Sequence, residues 1–315
     1  MSHHLKLVLA FAAVYLIWGS TYLAIRLAIE TLPPFLMAGV RFLVAGAVLY
    51  ALARWRGAPH PTRIHWLAAA TVGGFMLLGG NGGVVWAEQR VASGLTAVLI
   101  ATVPLWIALI EWVQGRVRPS GRGAGGLLMG LAGIALLVGP GELAGAKGID
   151  LAGAAVLLAA SLSWAIGSLY SRRARLPSSP LLATAMEMLS GGLLLLLAGL
   201  LTGQVSDLDF SRISLQSVLA LGYLIVFGSL VAFTAYIWLL RVTLPARAAT
   251  YAYVNPVVAV FLGWALAGEP LSARTLLAAA VIVGAVVIIT ASQPRATHEA
   301  TAEPEEASLP ASTGQ

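Results

Sequence analysis

The chain has 315 residues, of which 59% are apolar and only 10% are charged, and it contains no cysteine. An ordinary soluble domain has about 25% charged residues, so this composition excludes a water-soluble fold with a charged surface. The lack of cysteine excludes disulfides and thiolate metal sites. The net charge of +6 comes from basic residues in short turns, a distribution that orients membrane helices and argues against a nucleic-acid partner.

Ten apolar segments follow one another along the chain, each close to the roughly 20 residues that a helix needs to cross a bilayer. They are apolar on every face, which predicts membrane helices, since β-barrel strands alternate apolar and polar residues. With the N-terminus inside, thirteen Lys and Arg residues lie on the inner side and four in outer turns. This bias predicts an all-α, multi-pass protein of the cytoplasmic (inner) membrane with both termini cytoplasmic. The predicted spans are 5–29, 33–54, 64–87, 92–112, 123–139, 150–171, 180–201, 214–239, 246–267 and 272–292.

The second half of the chain repeats the pattern of the first. Trp18 in span 1 matches Trp164 in span 6 at an offset of 146 residues, and other pairs follow with similar offsets. A repeat with five spans is odd-numbered, so the second repeat must enter from the opposite side, as in many transporters. Duplication of a structural unit without transport is the alternative. The predicted divisions are a first repeat at 1–145, a second at 146–292 and a disordered cytoplasmic tail at 293–315.

Two prolines, Pro104 and Pro256, lie within predicted spans 4 and 9. Proline removes a helix hydrogen bond and bends the helix, and the exposed carbonyl groups then need a partner or a water-lined cavity. Two related bends predict hinges beside a central cavity, although a simple packing kink is the alternative.

Polar and aromatic residues concentrate near these bends. An amide side chain facing lipid is unfavourable, so Asn81 and Asn255 are predicted to face the interior. Trp and Tyr side chains there could stack on an aromatic or cationic solute, and plain helix packing is the alternative for each of them. The predicted substrate-binding residues are Trp18, Tyr22, Asn81, Trp164, Tyr251 and Asn255.

Two charged residues, Arg41 and Glu187, lie inside the predicted spans 2 and 7. An ionised residue at a helix centre costs roughly 2.5–3.5 kcal/mol to insert, so both are predicted to face the interior. Glu187 could exchange a proton and couple transport to a proton gradient. Alternatively, the two residues form an ion pair that stabilises helix packing.

Sequence motifs typical of nucleotide and metal sites are lacking or lie in an unsuitable context. Gly121, Gly123 and Gly126 spell G-x-G-x-x-G, but they open a membrane span instead of following a strand, and no phosphate-binding lysine motif occurs. The five histidines lie at ends or turns, which disfavours a metal site. We therefore predict neither enzyme activity nor a cofactor or metal. The spacing of Gly126 and Gly130 permits close helix contact, which leaves a monomer or a weak dimer open.

Several short stretches carry a family resemblance: Trp18–Tyr22, Pro33–Pro34 with Arg41–Phe42, Gly80–Gly82, Ala101–Pro104, Glu187–Met188 and Tyr251–Pro256. Together they resemble the EamA family of the drug/metabolite transporter superfamily, most of all its YedA-type inner-membrane exporters. The resemblance implies ten helices in inverted five-helix repeats, cytoplasmic termini and a central cavity, with spans 5 and 10 at the periphery. It also implies export of amino acids and related metabolites or toxic compounds.

These observations predict a secondary transporter that exports small metabolites by alternating access. Without an ATP-binding motif, the driving force is predicted to be a gradient of protons or of the solute itself. A channel or facilitative uniporter is the first alternative, although no filter-like loop or ring of charges is evident. A membrane-embedded enzyme is disfavoured because no nucleophile–base or metal cluster is present.

Overall fold

The computed structural model of the protein describes residues 2–91, 96, 99–115, 120–138, 150–267 and 273–291. Throughout these residues the regular structure is helical, and no β-strand occurs among them. The described part contains ten main helices, in chain order α1 (His3–Ile29), α2 (Pro34–Trp55), α3 (Arg63–Ala87), α4 (Val103–Val113), α5 (Gly121–Val138), α6 (Leu151–Ser171), α7 (Pro180–Leu201), α8 (Leu215–Val242), α9 (Tyr251–Ala267) and α10 (Ala273–Ala291).

The predicted all-α architecture with ten helices is confirmed. Six of the described helices, α1, α2, α3, α6, α7 and α8, are long and apolar enough to cross a membrane. The largest difference from the predicted spans is in span 4, where α4 begins only at Val103, after a turn at residues 101–102. The predicted tail at 293–315 lies outside the described residues.

Local sequence signals fix where several helices begin. The Asp150 carboxylate accepts a hydrogen bond from the Gly153 backbone N–H at 2.7 Å and so caps the N-terminus of α6. Ser179 caps α7 in the same way, and Pro180 follows it as the first helical residue, where a missing N–H costs nothing. Pro34 opens α2 at the equivalent place in the first repeat.

Helices α3 and α8 each contain a π-helical segment, at Gly74–Gly82 and at Leu224–Phe233. Such segments shift the backbone hydrogen-bond pattern and are frequent at functional sites. In both, a side chain from the other repeat donates to a backbone carbonyl. Ser163 Oγ donates to the Phe75 oxygen at 2.7 Å, and Trp18 Nε1 donates to the Gly228 oxygen at 3.1 Å.

Contacts between the halves of the chain come in matched sets. Helices α2 and α7 pack together, and so do α5 and α10, while α1 packs against α8 and α9 just as α6 packs against α3 and α4. The main contacts that one half makes are therefore made again by the other, as in a fold of two five-helix repeats. Because five is odd, the second repeat runs through the membrane in the opposite direction to the first.

Glycines bring the backbones of α2 and α7 into direct contact. A Cβ atom on Gly46 would lie 2.9 Å from the Leu189 nitrogen, and one on Gly192 would lie 2.9 Å from the Leu43 nitrogen. Both distances are too short for a real side chain, so only glycine permits this approach. The α2–α7 pair thus forms a tightly packed contact between the repeats.

The two glycines of α5 that suggested a dimer surface make contacts within the chain. A Cβ atom on Gly126 would lie 2.9 Å from Cγ1 of Ile289 in α10, and one on Gly130 would lie 3.2 Å from the Tyr253 ring in α9. The G-x-x-x-G spacing is therefore explained by packing inside the protein, and it no longer supports a dimer.

Candidate functional site

The two repeats enclose a cavity of about 70 Å³ between them. A water molecule needs roughly 10–15 Å³ measured in this way, so several waters or part of a small solute fit. The cavity brings together all of the predicted substrate-binding residues, and Arg41 also lines it. Their role in binding stays a prediction. The residues concerned are Trp18, Tyr22, Asn81, Trp164, Tyr251 and Asn255.

An aromatic cluster forms one side of the cavity, with Trp18 at its centre. The Trp18 ring meets Tyr251 edge-on at a centroid distance of 4.7 Å and Trp164 edge-on at 5.6 Å. Tyr236 approaches it at a tilt, with the ring centroids 5.1 Å apart. Edge-to-face contacts of this kind add interaction energy to that gained from the buried area. The cluster therefore forms a rigid apolar side of the cavity.

Hydrogen bonds fix the two tryptophans differently. Trp18 donates to the backbone of the π-helical segment in α8, at Gly228. Trp164 Nε1 instead donates to the Tyr236 hydroxyl at 3.2 Å, and that hydroxyl also bonds with Ser168 Oγ at 2.9 Å. Each indole therefore has a polar partner outside the cavity, which leaves its apolar surface for packing or for a solute.

Tyr236 was missed by the sequence analysis, although it is fully buried and contacts Trp18, Trp164 and Tyr251. It lies in a long apolar span in which no local pattern distinguishes the inward face. The only signal was its hydroxyl group, and Ser217, Tyr223, Ser229 and Thr234 carry hydroxyl groups in the same span, so this signal does not single out one residue.

The two asparagines differ in how fully they are bonded. Asn255 is buried, and its amide nitrogen donates to the backbone oxygens of Tyr251 at 3.0 Å and Tyr15 at 3.2 Å. Its side chain and that of Tyr22 line the same cavity. Asn81 Oδ1, in contrast, is buried and has no hydrogen-bond partner among the described residues. Asn255 thus joins α9 to α1, whereas Asn81 keeps an acceptor free at the cavity.

Arg41 is a buried cation at the cavity, with only 3% of its surface exposed. Its Nε donates to Ser229 Oγ at 2.8 Å, and its guanidinium lies over the Phe42 ring, 4.7 Å from the centroid. A Cβ atom on Gly228 would lie 2.8 Å from Nη2, so this glycine makes room for the group. Nη1 has no partner among the described residues.

Glu187 is completely buried, but it is not among the residues that line the cavity. Neither of its carboxylate oxygens has a hydrogen-bond partner in the described part of the chain, and Arg241 is the basic residue whose charge attracts it. The predicted ion pair between Arg41 and Glu187 is not formed. The reason is that Arg41 turns towards the π-helical segment of α8, where Ser229 binds it.

Helix breaks occur at equivalent places before α4 and α9, at residues 101–102 and 249–250. Thr102 Oγ1 lies 2.9 Å from Ser161 Oγ of α6, and Thr250 Oγ1 lies 2.6 Å from the Tyr15 hydroxyl of α1. Ser161 and Tyr15 are themselves related by the offset of 146 residues. Each break is therefore held by a matching hydrogen bond to the first helix of the other repeat.

The prolines are placed less symmetrically than the sequence suggested. Pro104 is the second residue of α4, where its missing N–H breaks no helix hydrogen bond, whereas Pro256 is the sixth residue of α9 and lies inside the helix. The prediction that Pro104 bends a helix from well inside it is wrong, because Pro104 lies in the first turn of α4. The symmetry-related features are the breaks at Thr102 and Thr250, which the prolines follow at different distances.

A second buried carboxyl group lies at the end of α3. Both oxygens of Glu88, at the end of α3, are buried without a partner among the described residues, and their charge acts on Tyr22 and Arg26. The sequence analysis missed Glu88 because it adjoins the end of a predicted span. Within the described part of the chain, no three His, Asp or Glu side chains come together as a metal site.

Comparisons with known proteins agree with this fold. The model of the EamA-like transporter family matches the chain twice, at residues 5–139 and 151–291. The inner membrane transporter YedA of Escherichia coli (strain K12) is 45% identical over 282 residues, which cover 89% of each chain. The transporter YoaV of Bacillus subtilis (strain 168) is 26% identical over 88% of this chain and 94% of its own.

A crystal structure with 24% sequence identity superposes with a TM-score of 0.73 and covers 91% of this chain and 97% of its own, which supports the fold. The family match spans both repeats, and the described helices are apolar enough for a membrane. The chain therefore belongs to the EamA-like transporter family.

Proposed function

We propose that the protein is a secondary transporter that exports small metabolites across the cytoplasmic membrane by alternating access. The observation that carries this proposal is a cavity between the repeats, to which each repeat contributes an equivalent tryptophan, Trp18 and Trp164. In transporters built from inverted repeats, the substrate site lies at such an interface. Arg41 and Asn81 line this cavity, and each has a buried polar atom that lacks a partner among the described residues.

The proposed motion is a rocking of the repeats about the helix breaks at Thr102 and Thr250. Pro104 and Pro256 follow these breaks and limit how the adjoining turns re-form, so they act as part of each hinge. The close α2–α7 contact acts as the pivot of this motion, because the two backbones cannot separate without leaving voids. An even number of spans puts both termini on one side, which the basic residues of the turns assign to the cytoplasm.

The substrate is proposed to contact Trp18, Tyr22, Asn81, Trp164, Tyr251 and Asn255. Among these, the aromatic residues offer stacking surfaces and Asn81 offers a free acceptor. Asn255 already donates to the backbone oxygens of Tyr251 and Tyr15, so it shapes the site more than it binds. The protein is proposed to work as a monomer because its cavity is complete within one chain.

Glu187 is the proposed proton-coupling residue. It is buried on α7 with two unpartnered oxygens, in a position where gaining or losing a proton changes the local charge of the α2–α7 pivot. Because it does not line the cavity, the proton and the solute would act on the same motion from separate sites.

Flux from proteoliposomes loaded with a panel of amino acids and organic acids tests this proposal. We expect saturable efflux of a few solutes, accelerated by an imposed pH gradient. In Glu187→Gln, the acceleration by the gradient should be lost while flux down the solute gradient persists, because the amide cannot carry a proton. Glu88→Gln is the matched control, since it removes a second buried carboxyl group and should leave the acceleration intact.

Three results would count against parts of the proposal. Flux that rises linearly with solute concentration would indicate a channel. An unchanged response of Glu187→Gln to the pH gradient would show that Glu187 does not couple transport to protons. A response that is lost in Glu88→Gln alone would assign the coupling role to Glu88.

A further inference from the structure

We infer that the cavity binds organic anions, namely small carboxylates with an aromatic or apolar body, and that Arg41 is the group that holds the carboxylate. This inference rests on the proposed transport function and adds the chemical class of the substrate. Of the aromatic or cationic solutes that the sequence analysis left open, it excludes the cationic ones, and it gives Arg41 a role other than an ion pair with Glu187.

The first observation is that Arg41 lacks a counter-charge. It is nine-tenths or more buried, and it makes no ion pair in the described structure, where the single salt bridge joins Arg212 to Asp209. A buried charge is costly unless it is paired and hydrogen-bonded. The guanidinium therefore has an unmet requirement for an anion, and the cavity is the place from which an anion can reach it.

The second observation is that Arg41 is held in a fixed position. Ser229 Oγ binds Nε, the Phe42 ring lies beneath the guanidinium, and Gly228 leaves space for Nη2. These contacts use one edge of the guanidinium and leave Nη1 without a partner. A rigid guanidinium with a free N–H is well suited to a carboxylate, because the planar donor geometry matches the two oxygens.

The third observation concerns the rest of the cavity. Among its described lining residues, Arg41 is the one charged side chain, and no carboxylate is present to receive an ammonium group. A cationic solute would meet a buried like charge without compensation. The Trp18, Trp164 and Tyr251 rings instead provide an apolar surface for the body of the solute.

Asn81 adds a further element of selectivity. Its Oδ1 atom is buried, lacks a partner in the described structure and belongs to the same cavity. A hydroxyl group on the solute would satisfy this acceptor, and an unsatisfied buried acceptor is costly. Hydroxy acids should therefore bind more tightly than the corresponding acids that lack the hydroxyl group.

Equilibrium binding to the purified protein in detergent tests the inference with three compounds that share one ring. Benzoate carries the carboxylate, benzamide is its neutral analogue and benzylamine is the cation. We expect benzoate at millimolar concentrations to raise the melting temperature and to bind about tenfold more tightly than benzamide, with no binding of benzylamine. Mandelate, which adds a hydroxyl group, should bind more tightly than phenylacetate.

Variants then assign the effect to Arg41. In Arg41→Gln the preference for benzoate over benzamide should disappear, and in Arg41→Lys part of it should remain because the charge is kept without the planar donor geometry. Arg26→Gln is the matched control, since it removes an arginine from α1 that does not line the cavity, and it should keep the preference.

If Arg41→Gln does not fold, the wild-type comparison of the three ring compounds still decides the matter. Binding of benzylamine, equal binding of all three compounds or binding of none of them would overturn the inference. Binding is measured without a membrane, so it separates this inference from the proposed transport. Selective benzoate binding without flux would defeat transport alone, whereas saturable flux of cations would defeat the anion site alone.

Discussion

Trp18 and Trp164 are equivalent residues of the two repeats, yet their indole nitrogens have different partners. Trp18 Nε1 bonds with a backbone carbonyl of a π-helical segment, at Gly228, and Trp164 Nε1 bonds with the Tyr236 hydroxyl. A side-chain hydroxyl can turn to another partner, and Tyr236 already has one in Ser168. A backbone carbonyl held in a helix cannot turn to another partner. The hydrogen bonds of these two equivalent tryptophans therefore contribute differently to the stability of the fold.

This difference predicts unequal costs for the same substitution. Trp18→Phe should lower the free energy of unfolding by about 1–3 kcal/mol, because the Gly228 carbonyl loses its side-chain donor inside the protein. Trp164→Phe removes the same atoms but should cost only about 1 kcal/mol, since the Tyr236 hydroxyl keeps Ser168. Denaturant unfolding of the purified proteins in one detergent measures both. Equal losses, or a larger loss in Trp164→Phe, would contradict this interpretation.

At the level of the elements, the α2–α7 contact depends on glycines whose missing side chains let two backbones meet. Hydropathy predicted both helices but gave no indication that they pack on each other, since the residues in contact are far apart along the chain. Gly46 and Gly192 are themselves related by the repeat offset of 146 residues, and the structure explains why both are glycine. Each of these glycines faces the backbone of the opposite helix.

A single methyl group tests this contact. Gly192→Ala should destabilise the protein by about 1–3 kcal/mol, because the new Cβ would lie 2.9 Å from the Leu43 nitrogen and the helices would have to separate. The control is Gly222→Ala in α8, where nothing lies within 4 Å and alanine should be neutral or stabilise by about 0.5–1 kcal/mol. Thermal unfolding followed by circular dichroism distinguishes the two.

Because the contact is symmetric, Gly46→Ala should resemble Gly192→Ala in size. Loss of stability in Gly222→Ala as well would point to a general sensitivity of the helices in detergent. Tolerance of alanine at both Gly46 and Gly192 would show that the α2–α7 spacing is not fixed by these glycines.

For the whole molecule, the two repeats meet through matched hydrogen bonds at the helix breaks. Thr102 and Ser161 join α4 to α6, and Thr250 and Tyr15 join α9 to α1. If transport requires the repeats to rock, one of these contacts must open in each cycle. A static pore would need neither to open, so the contacts distinguish the two kinds of mechanism.

A disulfide across one contact provides the test, and the chain has no cysteine of its own to interfere. In the double variant Thr102→Cys/Ser161→Cys, oxidation should abolish flux in proteoliposomes, and a reductant should restore it. The single variant Thr102→Cys, treated in the same way, controls for the oxidant. Full flux through the quantitatively cross-linked protein would contradict alternating access about this break.

The sequence by itself determined the membrane fold, the approximate spans and the two repeats, because hydrophobicity and turn charge act locally along the chain. It also identified six residues that the structure brings to one cavity, since polar and aromatic groups inside apolar spans tend to face the interior. It could not place them relative to one another. That depended on packing between segments far apart along the chain, such as those of Trp18 and Tyr251, to which local patterns are insensitive.

Only the tertiary structure decided the partners of the charged and aromatic groups. It turned Arg41 towards Ser229 instead of Glu187, brought Tyr236 into the aromatic cluster and placed the breaks at Thr102 and Thr250. The π-helical segments were equally invisible in the sequence, because they arise where a helix adjusts its backbone to fit a neighbour from the other repeat. Local residue patterns determine what each segment is, whereas the fit between segments determines which atoms meet.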